Sequence, residues 1–534
     1  MGEMKIKFGL MLNGMNLYPW QIKVYEEILQ TGLAECCLLI IKNEVKEEPK
    51  SIFRKLNQPH LFFEQFKKNK LNPTLYKSIP TSILDNIQQL RVTPTKVGKS
   101  SEELNMEDIQ GIKSKNLDFI IRFGFGIIKG EVLNSAKWGI WSFHHGNEQE
   151  FRGGPPGFWE IMKGQKTQGV ILQRLGEKLD AGKIILKREY AVISHSYIEN
   201  VSKLMVQSAD MPAQAIKMMA TGSLIIDEIK TIPTKAPIYK YPSNLQFVKF
   251  LFILLKNKIK FSWIRLMRQE NWIIGYRLLN EENYKFIAPA RDGEYYADPF
   301  SFCDEQKNYI VAEHYSYRTK KGTIVLIQPG QRQTKTIIEK DTHLSYPFIF
   351  EENGIIYLMP EESNDGKLNL YKWNSTNKTF EFYTTILELP CIDASILKHD
   401  GTYYLFLGLK GLLPNEKLFI YHSTQLEGPY SPHMANPVKV SPAGSRMAGP
   451  FYYQNDVLIR PSQYSVEHYG EKIIFHKINV LNNFEYNEEF HSELKPTNNA
   501  PFKCGLHTYH KNINFEVIDL KRRKSSFAAF TAQF

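Results

Sequence analysis

Four segments in the second half of this 534-residue chain echo one another. ADPFSF begins at Ala297, SYPFIFEENGIIYLMPE at Ser345, IDASILKHDGTYYLFLG at Ile392 and AGPFYYQNDVLIRPSQ at Ala448. Their second positions, Asp298, Tyr346, Asp393 and Gly449, lie 48, 47 and 56 residues apart. Each copy reads as a strand, a turn such as Asn353-Gly354 or Asp400-Gly401, and a second strand. A period of roughly fifty residues with about four short strands per copy predicts propeller blades. GLHTYH, from Gly505, starts a fifth and degenerate copy. The expected architecture over 290–534 is an all-β five-bladed propeller.

The first 235 residues have a different texture. KIKFGLML (Lys5–Leu12) is apolar enough for a buried strand, and WQIKVYEEILQTG (Trp20–Gly32) has helical spacing ended by a glycine. ECCLLII (Glu35–Ile41) supplies the next strand of a right-handed β-α-β unit. LDFIIRFG (Leu117–Gly124) and KWGIWSFHH (Lys137–His145) read as further strands, with a short helix near 129–133 between them. Residues 43–110 are polar and irregular, as expected of an insertion. Gly124, Gly126 and Gly130 read as a strand-to-helix turn, because no acidic residue follows at the spacing of a nucleotide-binding fingerprint. The prediction is an α/β, Rossmann-type domain over 1–235, then a basic amphipathic linker over 236–289.

That linker holds part of the formal charge of +11. Residues 244–268 carry six Lys/Arg and no acid around an apolar centre. The segment reads either as a helix packed on a neighbouring domain, the preferred reading, or as one lying on an anionic membrane surface. No apolar run is long enough to span a bilayer. No layout of basic and aromatic residues points to nucleic acid. Five cysteines without a CxxC pair read as reduced thiols of a cytoplasmic protein, peripheral at most to the inner membrane surface. No His/Cys cluster has zinc-ligand spacing, so no metal is expected.

The densest chemistry lies in SFHHGNEQEFRGGPPGFW, from Ser142 to Trp159, followed by KLDAGKIIL around Asp180. His144 stands where a predicted strand ends, the usual place for ligand contacts in an open α/β sheet. A carboxylate beside an imidazole can orient it and stabilise its protonated form, which suits acyl transfer to an amine. A structural His–Asp hydrogen bond is the other reading of the residues. This stretch resembles the catalytic core of the folate-dependent formyltransferases through His144, Arg152-Gly153, Pro156, Gly169-Val170, Leu179-Asp180 and Gly182. The resemblance implies His144 as the catalytic imidazole, Asp180 as its partner and 10-formyltetrahydrofolate as the donor, held in part by Asn147, Arg152 and Gly153. The family's asparagine aligns with Ser142, whose hydroxyl offers a single donor; Asn147 or His145 is available to supply what is missing.

The repeated half resembles five-bladed sugar-processing propellers of the β-fructosidase and arabinanase kind. It resembles more closely the propeller of plant glucosamine inositolphosphorylceramide transferases, through Ala297-Asp-Pro-Phe300, Ile392-Asp-Ala-Ser395 and LEGPYSPHMANPV from Leu426. Asp298 and Asp393 fall at blade starts, where they either face a sugar on the axis or cap backbone amides. Glu313, Glu361 and Glu362 are candidate acids, and Arg446, His468 and His507 candidate glycan contacts; His314 and His343 read equally as packing residues. Together the two resemblances imply N-formyl transfer to an amino sugar, lipid-, nucleotide- or glycan-linked. A glycosyl-transferring or glycoside-processing propeller and a non-catalytic glycan-binding protein are the alternatives.

Overall fold

The computed structural model describes residues 5–43, 59–71, 77, 79–98, 101–177, 182–288, 291, 293–331 and 333–525. The chain divides into two compact units, Met1–Lys260 and Phe261–Phe534.

The first unit is built on a seven-stranded sheet. Its strands are β1 (Ile6–Leu12), β2 (Ala34–Lys42), β3 (Gln89–Val92), β4 (Phe119–Arg122), β5 (Ile140–His144), β6 (Thr167–Arg174) and β7 (Lys183–Ala191). Across the sheet they run β7-β6-β5-β4-β1-β2-β3. The five strands β3 to β5 in that order are parallel, and β6 and β7 are antiparallel additions. The parallel strands read as unbroken apolar runs because both faces are covered: Leu10, Leu39, Ile40, Ile120 and Ile121 are all fully buried. The chain leaves β1 in one direction, through the helix Pro19–Gln30, and returns on the other side with β4. The order therefore reverses between β1 and β4, and the crevice outside their carboxyl ends is where such sheets bind ligands. The irregular insertion contributes an edge strand, β3, which pairs with β2.

The second unit is the five-bladed propeller. Four blades are antiparallel sheets in chain order, starting with the strands Glu294–Asp304, Ser345–Glu352, Cys391–His399 and Ala443–Met447. The fifth joins both ends of the unit: Tyr509–Lys511 and Phe515–Ser525 pair with Arg268–Leu278 and Lys285–Ile287. The propeller thus begins at Arg268, inside the segment expected to be a linker. Those two strands carry no repeat signature because they complete a blade begun at the other end of the chain. The rest of that segment is chiefly the helix Asn244–Met267, and the division of the chain into units falls after Lys260 within it.

The repeat has a physical cause. Asp298, Tyr346 and Asp393 all have positive φ (51°, 41° and 46°), and Gly449 has 147°. Register shifts at the first three of these points mark a bulge in the innermost strand of each of those blades. Each bulge turns a backbone amide toward the axis, where a carboxylate receives it: Asp298 N donates to Asp519 at 3.2 Å, Tyr346 N to Asp298 at 3.1 Å and Asp393 N to Glu361 at 3.2 Å. The ring closes through Tyr509 N to the Ala448 carbonyl (2.7 Å) and Ser301 N to His510 Nδ1 (2.8 Å).

Candidate functional sites in the two units

In the first unit, adjacent strands bring three polar side chains together on one face of the sheet. Arg122 ends β4, Ser142 lies in β5, and Gln173 is the register partner of Ser142 in β6. Arg122 donates to Ser142 Oγ from Nε (3.2 Å) and Nη2 (3.0 Å), and its Nη1 holds the Gly126 carbonyl at 2.6 Å. Gln173 Oε1 accepts from the Gly182 amide at 3.3 Å, so the loop from β6 to β7 is tied to this row. A Cβ on Gly182 would run into the Arg174 carbonyl oxygen, which explains the glycine. Asp180, two residues earlier, lies outside the described residues.

His144 ends β5 on the same face as Ser142, two positions on. It is 8 % exposed, and its Nε2 stands 2.9 Å from the Phe151 carbonyl oxygen. A carbonyl only accepts, so Nε2 carries a proton. His145 points to the other face, stacked on Phe143 and edge-on to Trp20. Burial, then His144, pushes it down to about 3, and its Nε2 is buried among rings. It is a neutral packing residue with no access to the Ser142 face.

The loop after β5 explains the remaining motif. Asn147 Oδ1 accepts from Lys187 Nζ (3.0 Å) and from Gln149 N (3.2 Å), which leaves its Nδ2 group as a donor. Lys187 also binds Glu148 at 2.9 Å. Gly169 lets this loop approach β6, since a Cβ there would stand 2.9 Å from Asn147 Cα. Arg152 and Gly153 pair with Ile238 and Tyr239 as a short parallel ladder. Gly153 has φ 84°, and a Cβ would strike the Tyr239 carbonyl.

On the propeller axis the predicted residues meet as ion pairs. Asp393 receives Arg446 Nε at 2.5 Å, Arg446 Nη2 at 3.2 Å and Gln463 Nε2 at 2.7 Å. Asp298 receives Thr508 Oγ1 at 2.8 Å and faces His507 Nε2 at 3.1 Å; the other ring nitrogen of His507 stands 2.7 Å from Asp519. Burial opposes the charge on His507, but Asp519 and Asp298 push the imidazole up to about 10. Asp298, His507 and Asp519 converge closely enough to hold a cation. With His507 as an imidazolium between two carboxylates, the cluster forms a charge-paired clasp between the first and fifth blades.

Burial, then Asp298, pushes Glu313 well above its ordinary range, and burial, then Asp393, pushes Glu361 up to about 8. Burial acts against ionised Asp298, yet His507, Thr508 and the Tyr346 amide together hold it below its ordinary value. Glu362 belongs to a separate network with Lys340, Asn369 and Tyr371. His314 pairs with Glu294 at 3.0 Å, His343 accepts from the Gly322 amide at 2.8 Å, and His468 lines a cationic cavity.

Arg122, Gln173, Gln463 and Asp519 carried no motif. The usable signal was a polar residue inside an otherwise apolar strand, as in FIIR, GVILQ and FEVID.

Comparison with known proteins matches the two units to two families. The formyl transferase family matches residues 61–212, and the family described as glucosamine inositolphosphorylceramide transferase 1, N-terminal, matches residues 285–511. Glucosamine inositolphosphorylceramide transferase 1 of Arabidopsis thaliana is 34 % identical over 214 residues, 38 % of this chain and 28 % of that protein. The chain thus spans less than a third of the length of that relative. Methionyl-tRNA formyltransferase of Thermodesulfovibrio yellowstonii is 32 % identical over 244 residues, 43 % of this chain and 72 % of that enzyme. Among solved structures, glycinamide ribonucleotide transformylase 1 from Symbiobacterium toebii aligns with a TM-score of 0.30 at 14 % identity, covering 44 % of this chain and 96 % of its own. A family 117 glycoside hydrolase of Zobellia galactanivorans aligns with a TM-score of 0.31 at 14 % identity, covering 48 % and 91 %. Through its first unit the chain belongs to the formyltransferase family, and it joins to that unit a propeller similar to the N-terminal domain of the glucosamine inositolphosphorylceramide transferases.

Proposed function

We propose that the protein transfers a formyl group from 10-formyltetrahydrofolate to the amine of a lipid-, nucleotide- or glycan-linked amino sugar, in glycolipid or glycan biosynthesis. Relatives of the first unit are named for formyl transfer, and those of the second for glucosamine and a phosphoinositol-bearing ceramide. The substrate chemistry that satisfies both is an amine on a sugar. A cytoplasmic site, at the inner face of a membrane, goes with this reading.

The observation that carries it is the row Arg122–Ser142–Gln173 beside His144. The donor, when bound, supplies the formyl carbon as electrophile. Both guanidinium contacts fall on the lone pairs of Ser142 Oγ, and its hydrogen, which donates to the Phe143 carbonyl at 3.4 Å, would turn from that long contact to the formyl oxygen, with a cation behind it. That arrangement fits a carbonyl oxygen gaining negative charge and compensates for the absent asparagine. Asn147 adds a second donor through Nδ2. His144 takes a proton from the attacking amine at Nδ1 and passes it to the folate nitrogen whose bond to the formyl carbon breaks, so that tetrahydrofolate leaves, while Nε2–H stays on the Phe151 carbonyl and fixes the ring. Asp180 would steady the charged ring.

The test is calorimetric titration with a stable 10-formyltetrahydrofolate analogue, on the wild type and on His144→Asn, followed by turnover with amino-sugar acceptors. Folate binding by both forms, with turnover of the variant down by about 10²- to 10⁴-fold, supports the reading. Absence of folate binding overturns it.

One observation favours a second reading. On the propeller axis burial and then Asp298 push Glu313 well above its ordinary range while, against burial, His507 holds Asp298 below its own, an unequal carboxyl pair of the kind glycoside processing uses. Turnover of a glycosidic substrate that survives His144→Asn and is lost in Glu313→Gln would establish it.

A further inference from the structure

The helix Asn244–Met267 has two opposite apolar faces. Phe247 and Phe250 are buried with Phe63, Phe158 and Tyr197, and Asn257 Nδ2 donates to the Ser194 carbonyl at 3.0 Å. Ser243 and Gln246 cap the start reciprocally. With about 3.6 residues per turn, the opposite face carries Leu245, Phe252, Leu255, Ile259 and Trp263. These are 80 %, 68 %, 56 %, 62 % and 58 % exposed.

The edges of that stripe are cationic. Lys249, Lys256 and Lys260 follow one side, Lys258 and Arg265 the other, and all five are exposed. No acidic residue occurs from Asn244 to Gln269. Arg268, next after the helix, lines a cavity of about 550 Å³ whose walls also hold Lys472, Lys495, Lys503 and Arg523 against the single acid Glu471. Burial, then Lys521 and Arg523, depresses the His468 imidazole in the same wall, which reports the positive field there. Among the described residues no helix is long and apolar enough to cross a membrane.

We propose that this helix lies flat on an anionic phospholipid surface, with its exposed stripe among the acyl chains and its two cationic edges on lipid phosphates. The geometry is that of an interfacial helix: apolar stripe, flanking lysines, and a far face engaged by its own protein. A second copy of the chain is the poorer occupant, because two such stripes face to face would bring their like-charged edges together. A lipid surface answers both features at once, since anionic headgroups attract each lysine and acyl chains take Phe252 and Trp263. The inference does not rest on the formyl-transfer reading, and its test requires no turnover.

The experiment is flotation of the full chain with vesicles of phosphatidylcholine alone and of phosphatidylcholine with one third phosphatidylglycerol. The protein is expected to float with the anionic vesicles, less so at high salt, and to stay behind with the neutral ones. Leu255→Glu with Ile259→Glu, and separately Lys256→Glu with Lys260→Glu, should each weaken flotation at least about ten-fold. All four side chains are exposed, so circular dichroism should match the wild type. Failure of the wild type to float, or full flotation of the Leu255→Glu, Ile259→Glu form, overturns the proposal. Concentration-dependent dimers that those same substitutions dissolve, in a protein that ignores vesicles, would assign the stripe to a second copy.

Discussion

His144 and His507 are both buried, at 8 % and 3 % exposure, and both descend from sequence positions rich in polar residues. Their surroundings differ. His144 stands at the end of a strand where the sheet opens onto loops, with its Nε2 on a neutral carbonyl. His507 sits on a closed ring between two carboxylates that exist in the fold to neutralise it. In the proposed reaction the first has to change charge, and a carbonyl on Nε2 orients the ring without adding a charge of its own. The second is committed: losing its proton would leave Asp298 and Asp519 facing each other across a buried neutral ring. Burial and an ionisable side chain are common to both; the partner set decides which one can move a proton.

The comparison can be broken by swapping the two phenotypes. The largest effect expected is on turnover: His144→Asn should cost about 10²- to 10⁴-fold while the thermal midpoint barely moves. His507→Ala should do the reverse. It strips one partner from two buried carboxylates, at a cost of about 3–5 kcal/mol, readable as a lowered urea midpoint of the propeller, with folate binding unaltered. If His507→Ala were neutral for stability, the clasp would be no clasp.

Gly153→Ala should follow, with about 1–3 kcal/mol lost from the first unit, since its φ of 84° and the Tyr239 carbonyl both oppose a Cβ. Urea unfolding followed by tryptophan emission would measure it.

The smallest and most selective test is pH. His507 has its pKa raised from 6.5 to about 10, so its stabilisation is complete below about pH 6.5 and is lost as pH rises through 10. Glu361, raised from 4.5 to about 8, acts with the same sign over a lower window: its ionisation destabilises the fold as pH climbs from 4.5 to 8. Asp298, depressed below 3.8, has the opposite sign and loses its contribution only at acid extremes. The propeller should therefore soften from neutral to alkaline pH, and His507→Ala should flatten the upper part of that curve.

How much of this was legible beforehand varies with the distance over which each feature is made. His144, Asp393, Arg446 and the blade starts stood out because a local pattern carried them. Asp519 did not, since a lone carboxylate in FEVIDL acquires meaning only when the last blade brings it to His507 and the Asp298 amide. Arg122 and Ser142, twenty residues apart, are likewise joined by the pairing of β4 with β5 rather than by any spacing. His145 shows the converse. It was a candidate by adjacency to His144, and strand alternation sends it to the opposite face, against Trp20.

The amino-acid order by itself determined the two architectures and where their repeats fall. Blade period, apolar strand runs and turn dipeptides are short-range properties that any fold of this chain must respect. Tertiary structure decided the rest. Strands from both ends of the second unit complete one blade, so the propeller starts at Arg268. Ring closure sets charges of distant origin beside one another, and the helix at 244–267 buries one apolar face while leaving its second uncovered. Each is a contact between residues far apart in the chain, and only a folded backbone fixes which of the possible partners meet.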